Sequence, residues 1–145
     1  MVRKRSLARE FALKILYQRD ITGWDMETTA QRFWLNNEEP VEKEAQNFAN
    51  RLVIGIKDHL AEIDKKISDY ATNWQLKRMA IIDRNILRMG VFELYFAPDI
   101  PPIVTINEAI ELAKKYGDME SSKFVNGILD KIHKTEPVAQ NKKSN

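Results

Sequence analysis

The chain has 145 residues, 43% apolar and 30% charged, with five Gly, five Pro, two His, no Cys and a net charge of +2. That length can bury a sizeable core, so one globular domain is expected, and the scarcity of Gly and Pro favours helices over the many turns of a β-sandwich. The lack of Cys excludes a disulfide framework and any thiolate nucleophile or metal ligand, no apolar run approaches the ~20 residues that span a bilayer, and the start lacks the apolar segment of a secretory signal. A cytoplasmic, all-α protein is expected.

The charge is unevenly spread. Residues 1–20 carry Arg3, Lys4, Arg5, Arg9, Lys14 and Arg19 against Glu10 and Asp20, a local net of +4, so the remainder of the chain nets −2. A basic block at the mouth of a helix suits phosphate contact, and equally serves as a solubilising terminus.

The first predicted helix covers residues 6–21, where Leu7, Ala8, Phe11, Ala12, Ile15 and Leu16 form one apolar stripe closed by Thr22-Gly23. Arg9, Leu13 and Tyr17 stack at i, i+4, i+8 on its flank, which predicts exposed Leu13 and Tyr17 beside the guanidinium groups. Tyr17 is then either a contact for a partner or base, or a residue covered by another helix of the same domain. A shorter helix follows over 26–35. From 42 to 70 the apolar positions Ala45, Phe48, Ala49, Leu52, Ile56, Leu60, Ile63, Ile67 and Tyr70 recur at spacings of three and four, predicting one long helix softened at Gly55.

Thr72-Asn73 offers a cap for a turn over 74–79, and residues 81–97 are apolar around most of a helix, as a central element would be. Asp83 sits in its first turn on the stripe of Leu87, Gly90 and Leu94. There it favours the helix dipole or accepts hydrogen bonds from a docked partner. Arg84 and Arg88, one turn apart, read as a solvated edge or an ion pair. Pro98 and Pro101-Pro102 end this helix, and Thr105 with Glu108 reads as a capping box opening the next, which Gly117 stops.

The last predicted helix spans 121–133, with Val125, Ile128, Leu129 and Ile132 buried, Phe124 at the edge of that arc, and Lys123, Asn126 and Asp130 on the opposite face. Gly127 in its middle costs about 1 kcal/mol against Ala, so it is expected to serve close approach of a ligand or another backbone, or a helix crossing. No Gly-rich phosphate loop, nucleophile elbow or metal-spaced His cluster occurs, so no catalytic residue, metal or cofactor is assigned.

The chain resembles the NusB family of bacterial transcription antitermination factors. The residues concerned are Ala8-Arg9-Glu10 with Tyr17, residues 83–88 with Glu93-Leu94, and residues 105–114 and 123–130; between Trp24 and Ala71 the likeness is weak. The resemblance implies about seven helices in two packed bundles of one compact domain: an N-terminal subdomain over 1–71, a C-terminal one over 72–134, and a flexible tail over 135–145. It also implies a non-enzymatic factor that binds boxA RNA of nascent ribosomal transcripts with the ribosomal protein NusE, in an antitermination complex with RNA polymerase.

By the same resemblance, Arg3, Lys4, Arg5, Arg9 and Lys123 would touch RNA, and Tyr17, Asp83 and Phe124 would lie at or near the NusE-facing surface. Ser6 and Leu7 interrupt the arginines, which are often more continuous in the family, and some members self-associate, so a homodimer stays open. Two other readings compete: a helical protein-protein adaptor without an RNA role, and an accessory domain like that of ribosomal RNA methyltransferases.

Overall fold

The computed structural model describes residues 4–71 and 76–136, the side chain of Lys77 excepted. They form seven α-helices and a 3₁₀ turn at Leu76–Arg78, with no strand among the described residues. The helices are α1 (Lys4–Thr22), α2 (Met26–Asn36), α3 (Lys43–Asp58), α4 (Leu60–Tyr70), α5 (Ile81–Phe96), α6 (Pro102–Tyr116) and α7 (Ser121–Thr135). The all-α reading holds. The cap expected at Thr72-Asn73 and most of the tail lie outside the described residues, and the turn expected over 74–79 contains the 3₁₀ turn at Leu76–Arg78.

The chain divides into two compact units, Met1–Asp58 and His59–Asn145. In the first, α1 packs along α3, and α2 lies against both. Ala8 and Ala12 on α1, with Ala45 and Ala49 on α3, are at most 2% exposed. Such small side chains let two helices approach, while Ile15, Leu16, Leu52 and Ile56 fill the core at roughly 1.5–3 kcal/mol each. Gly23, at φ +76°, takes the left-handed conformation that turns the chain out of α1. Asp25 then caps α2: its carboxylate accepts the Thr28 N–H at 2.8 Å, which holds its pKa below the usual range.

In the second unit α5 is the hub, packing on α4, α6 and α7. Its residues 85–94 are all buried, as their nearly continuous apolarity predicts. Gly90 earns its place, since a Cβ there would stand 2.7 Å from Cδ1 of the fully buried Leu129 on α7. Three buried polar side chains of α5, those of Asn85, Arg88 and Glu93, are matched. Arg88 donates to both oxygens of Asp64, at 2.8 and 3.1 Å, and to Asn85 Oδ1 at 3.0 Å. Arg88 is therefore an ion pair and not a solvated edge.

Two local expectations fail for physical reasons. The long helix over 42–70 breaks at His59, whose backbone (φ −121°, ψ 20°) leaves the helical region and whose ring stacks on Phe96 at 3.8 Å. The two units part at this point, ahead of residue 71. An apolar spacing of three and four runs through such a break unchanged. Thr105 does not cap α6, because the helix already begins at Pro102, whose missing N–H suits a first turn. The Thr105 hydroxyl instead donates to the buried Glu93 carboxylate at 2.7 Å. Gly117 ends α6 in extended backbone (φ −92°, ψ −170°).

Candidate functional site

The basic block of α1 is split by the turn of the helix. Lys4 faces the groove of about 650 Å³ that α1 makes with residues 37–42, where Leu7, Phe11 and Lys14 also line it. Its ammonium lies 3.0 Å from Glu42 and 3.3 Å from Glu44, and hydrogen bonds to those carboxylates raise its pKa. Lys4 is thus held by two carboxylates of its own unit.

Arg5 and Arg9 turn instead to α3, where their guanidinium carbons lie 4.5 and 5.3 Å from the centre of the Phe48 ring. Arg5 is exposed, but Arg9 is only 3% exposed. Assigned to RNA contact by the family resemblance, Arg9 is a packed residue covered by the fold. Arg3 lies outside the described residues.

Tyr17 is 40% exposed, and Ile21 one turn later is 57% exposed, so this end of α1 offers an apolar strip. Leu13, expected beside Tyr17 at the surface, is 1% exposed. The helical wheel placed Leu13 correctly on the flank of the stripe, but the buried arc is wide enough to include that flank. Trp24, also exposed, lies under the Arg32 guanidinium at 4.5 Å.

The second unit carries a different surface. A cavity of about 220 Å³ is lined by Met79, Ala80, Asp83, Asp118, Glu120 and Phe124. Asp83 and Phe124, singled out separately in the sequence, are thus brought together. Asp118 is satisfied: its Oδ1 accepts N–H bonds from Glu120 at 2.9 Å and Ser121 at 3.1 Å at the start of α7. Asp83 is not. It is 9% exposed, and its Oδ1 has no hydrogen-bond partner. Burial pushes its pKa up, against a Ser121 hydrogen bond, and the Asp118 charge adds to the rise.

On α7, Lys123 and Asn126 are exposed as expected, and Phe124 is half-buried. Gly127 is exposed with open space where a Cβ would stand, so it serves no close helix packing among the described residues. That role belongs to Gly90. Sequence reasoning missed Asp118 and Glu120 as cavity walls, and missed Arg51, whose guanidinium carbon also lies over Phe48, at 5.8 Å. Only the distant pairing of α1 with α3 reveals the last. Among the described residues no helix is long and apolar enough to cross a membrane, and no cluster of His, Asp or Glu is arranged to hold a metal.

The comparisons with known proteins agree with one another. The family model described as the NusB family matches residues 6–134. The transcription antitermination protein NusB of Anaeromyxobacter dehalogenans is 47% identical over 140 residues, covering 97% of each chain. Among solved structures, T. maritima NusB matches with a TM-score of 0.84 and 43% identity, over 93% of this chain and 94% of that one. A chain from a crystal structure of antitermination factors NusB and NusE in complex with dsRNA matches at TM-score 0.82 and 33% identity, over 92% of this chain and 98% of that one. A family model over most of the chain, with relatives and solved structures at 43–47% identity over more than nine-tenths of it, shows that this chain belongs to the NusB family.

Proposed function

We propose that the chain is a transcription antitermination factor that acts in the cytoplasm, binding boxA of nascent ribosomal RNA together with NusE so that RNA polymerase reads through terminators. The observation that carries this reading is the likeness, over 92% of the chain, to a factor crystallised with NusE and RNA. The chain's own surfaces support it. Arg5 and Lys123 are exposed cations, Lys4 is one held by carboxylates of its own unit, and Arg3 extends the same basic terminus; these are the proposed phosphate contacts. Tyr17 on α1, and Asp83 with Phe124 at the cavity of the second unit, are the proposed partner contacts.

Charge contact of this kind tolerates many sequences, so a few cations alone bind RNA weakly and a partner that adds surface raises affinity. Filter binding of boxA RNA, with and without NusE, tests the reading. Tighter binding with NusE supports it. RNA retention that never rises above background in either mixture sinks it and leaves a protein-only adaptor.

A further inference from the structure

The turn from α1 into α2 leaves a cation and several large apolar side chains on the surface of the first unit. The Arg32 guanidinium carbon lies 4.5 Å from the centre of the exposed Trp24 ring. Ile21, three residues before Trp24, is exposed, and Leu35, one turn past Arg32 on α2, is 83% exposed. Burial of Met26, Thr29 and Ala30 fixes the inward face of α2, which turns Arg32 and Leu35 to solvent. The fold uses neither head group of the stacked pair. Among the described residues the Arg32 guanidinium makes no ion pair or hydrogen bond, and the Trp24 indole N–H has no acceptor. The nearby carboxylates of α2 are engaged, since Asp25 caps Thr28 and Glu27 pairs with Lys57 at 2.9 Å.

We infer that Trp24 and Arg32 are a second anchor for the partner protein beside Tyr17, taking a carboxylate of that partner next to an apolar side chain. The inference rests on the reading of Tyr17 as a partner contact; Ile21, one turn past Tyr17, carries the exposed apolar surface on toward Trp24. A guanidinium that lies against a ring keeps its in-plane N–H edge for the two oxygens of a carboxylate, and here that edge is uncommitted. Stacking also restricts the long side chain before the partner arrives, which lowers the ordering cost of docking. Trp, Tyr and Arg are the side chains that most often carry a protein interface, and one guanidinium among exposed Tyr17, Ile21, Trp24 and Leu35 has that composition. An RNA track needs several cations, whereas the neighbouring Lys57 is already closed by Glu27. Trp24 and Arg32 stand eight residues apart across the start of α2, so no short motif marks the pair.

The test is calorimetric titration of the full chain with NusE, without RNA, at low and high salt, for the natural chain and for Arg32→Ala, Arg32→Glu, Arg32→Lys, Trp24→Ala and Tyr17→Ala. Arg32→Ala should weaken binding about tenfold at low salt, and by less at high salt, because part of the contact is a screened charge pair. Arg32→Glu should weaken it further, by setting like charges against each other. Arg32→Lys should fall between Arg32→Ala and the natural chain, since it keeps the charge and loses the fork. Trp24→Ala should weaken binding at both salt concentrations. Both side chains are exposed, and a thermal melt matching the natural chain confirms that each variant is folded.

Natural NusE affinity in Arg32→Glu and Trp24→Ala, beside a loss in Tyr17→Ala, overturns the second anchor and leaves the partner reading intact. The inference is also overturned if Arg32→Ala spares NusE affinity while flattening the salt dependence of RNA binding, since the guanidinium would then meet phosphate. It is overturned again if Arg32→Glu only separates a dimer of the natural chain, because a second copy would be the occupant. A natural chain that does not bind NusE fails the underlying reading instead.

Discussion

Arg9 in α1 and Asp83 in α5 are both ionisable side chains covered by the fold, at 3% and 9% exposure, yet they are treated in opposite ways. The Arg9 guanidinium stacks on Phe48 inside its own unit. Asp83 lines a cavity with one oxygen that no group of the chain hydrogen-bonds. Arg88, two residues past Asn85's neighbour Ile86 on the same helix as Asp83, follows Arg9: its head is closed by Asp64 and Asn85. Burying a charge without a partner costs free energy, so the folded chain gains by closing such groups. A carboxylate left open in an acid-lined cavity fits the partner contact proposed for Asp83.

The contrast can be broken first at Arg88. Arg88→Ala strands the Asp64 carboxylate and should cost about 3 kcal/mol in urea unfolding, the largest loss among these variants. A loss well under 1 kcal/mol would mean that the pair is a surface ornament. Arg9→Ala comes next. It removes a covered stem and head from the Phe48 platform and should cost about 2 kcal/mol, while the salt slope of RNA binding stays that of the natural chain. A reduced slope at natural stability would return Arg9 to the RNA surface.

Much of this organisation was legible in the sequence, where a single physical signal decided it. The period of three and four placed α1, α2, α5 and α7 within a few residues of their observed bounds, because each buries one continuous stripe. It joined α3 to α4, because the stripe continues through His59 and only the stacking on Phe96 marks the break. The Thr105-Glu108 pair imitated a cap, since a buried Thr bonding Glu93 and a capping Thr look alike in one dimension. Among site residues, exposure of Tyr17, Lys123 and Asn126 followed from the wheel. Arg9 and Leu13 did not, because the width of the buried arc depends on neighbours that the wheel does not contain. The meeting of Asp83 with Phe124, and of Arg5 with Arg51, required the tertiary pairing of distant helices.

The smallest effect on stability carries the sharpest test. Asp83 has a raised pKa in the fold, so the folded state holds this proton more tightly than the unfolded chain does. Its charge therefore weakens the fold as pH rises above the unfolded value of about 4, and the full cost is present above the folded value. Asp83→Asn removes that cost and gives the site its own N–H donors. The most direct measurement follows thermal unfolding and NusE affinity of Asp83→Asn beside the natural chain, at pH 4 and pH 7. The account predicts a variant more stable by about 1 kcal/mol at pH 7, with little difference at pH 4, and weaker for NusE. A variant that is less stable at pH 7, or that binds NusE as the natural chain does, contradicts a carboxylate held open for a partner.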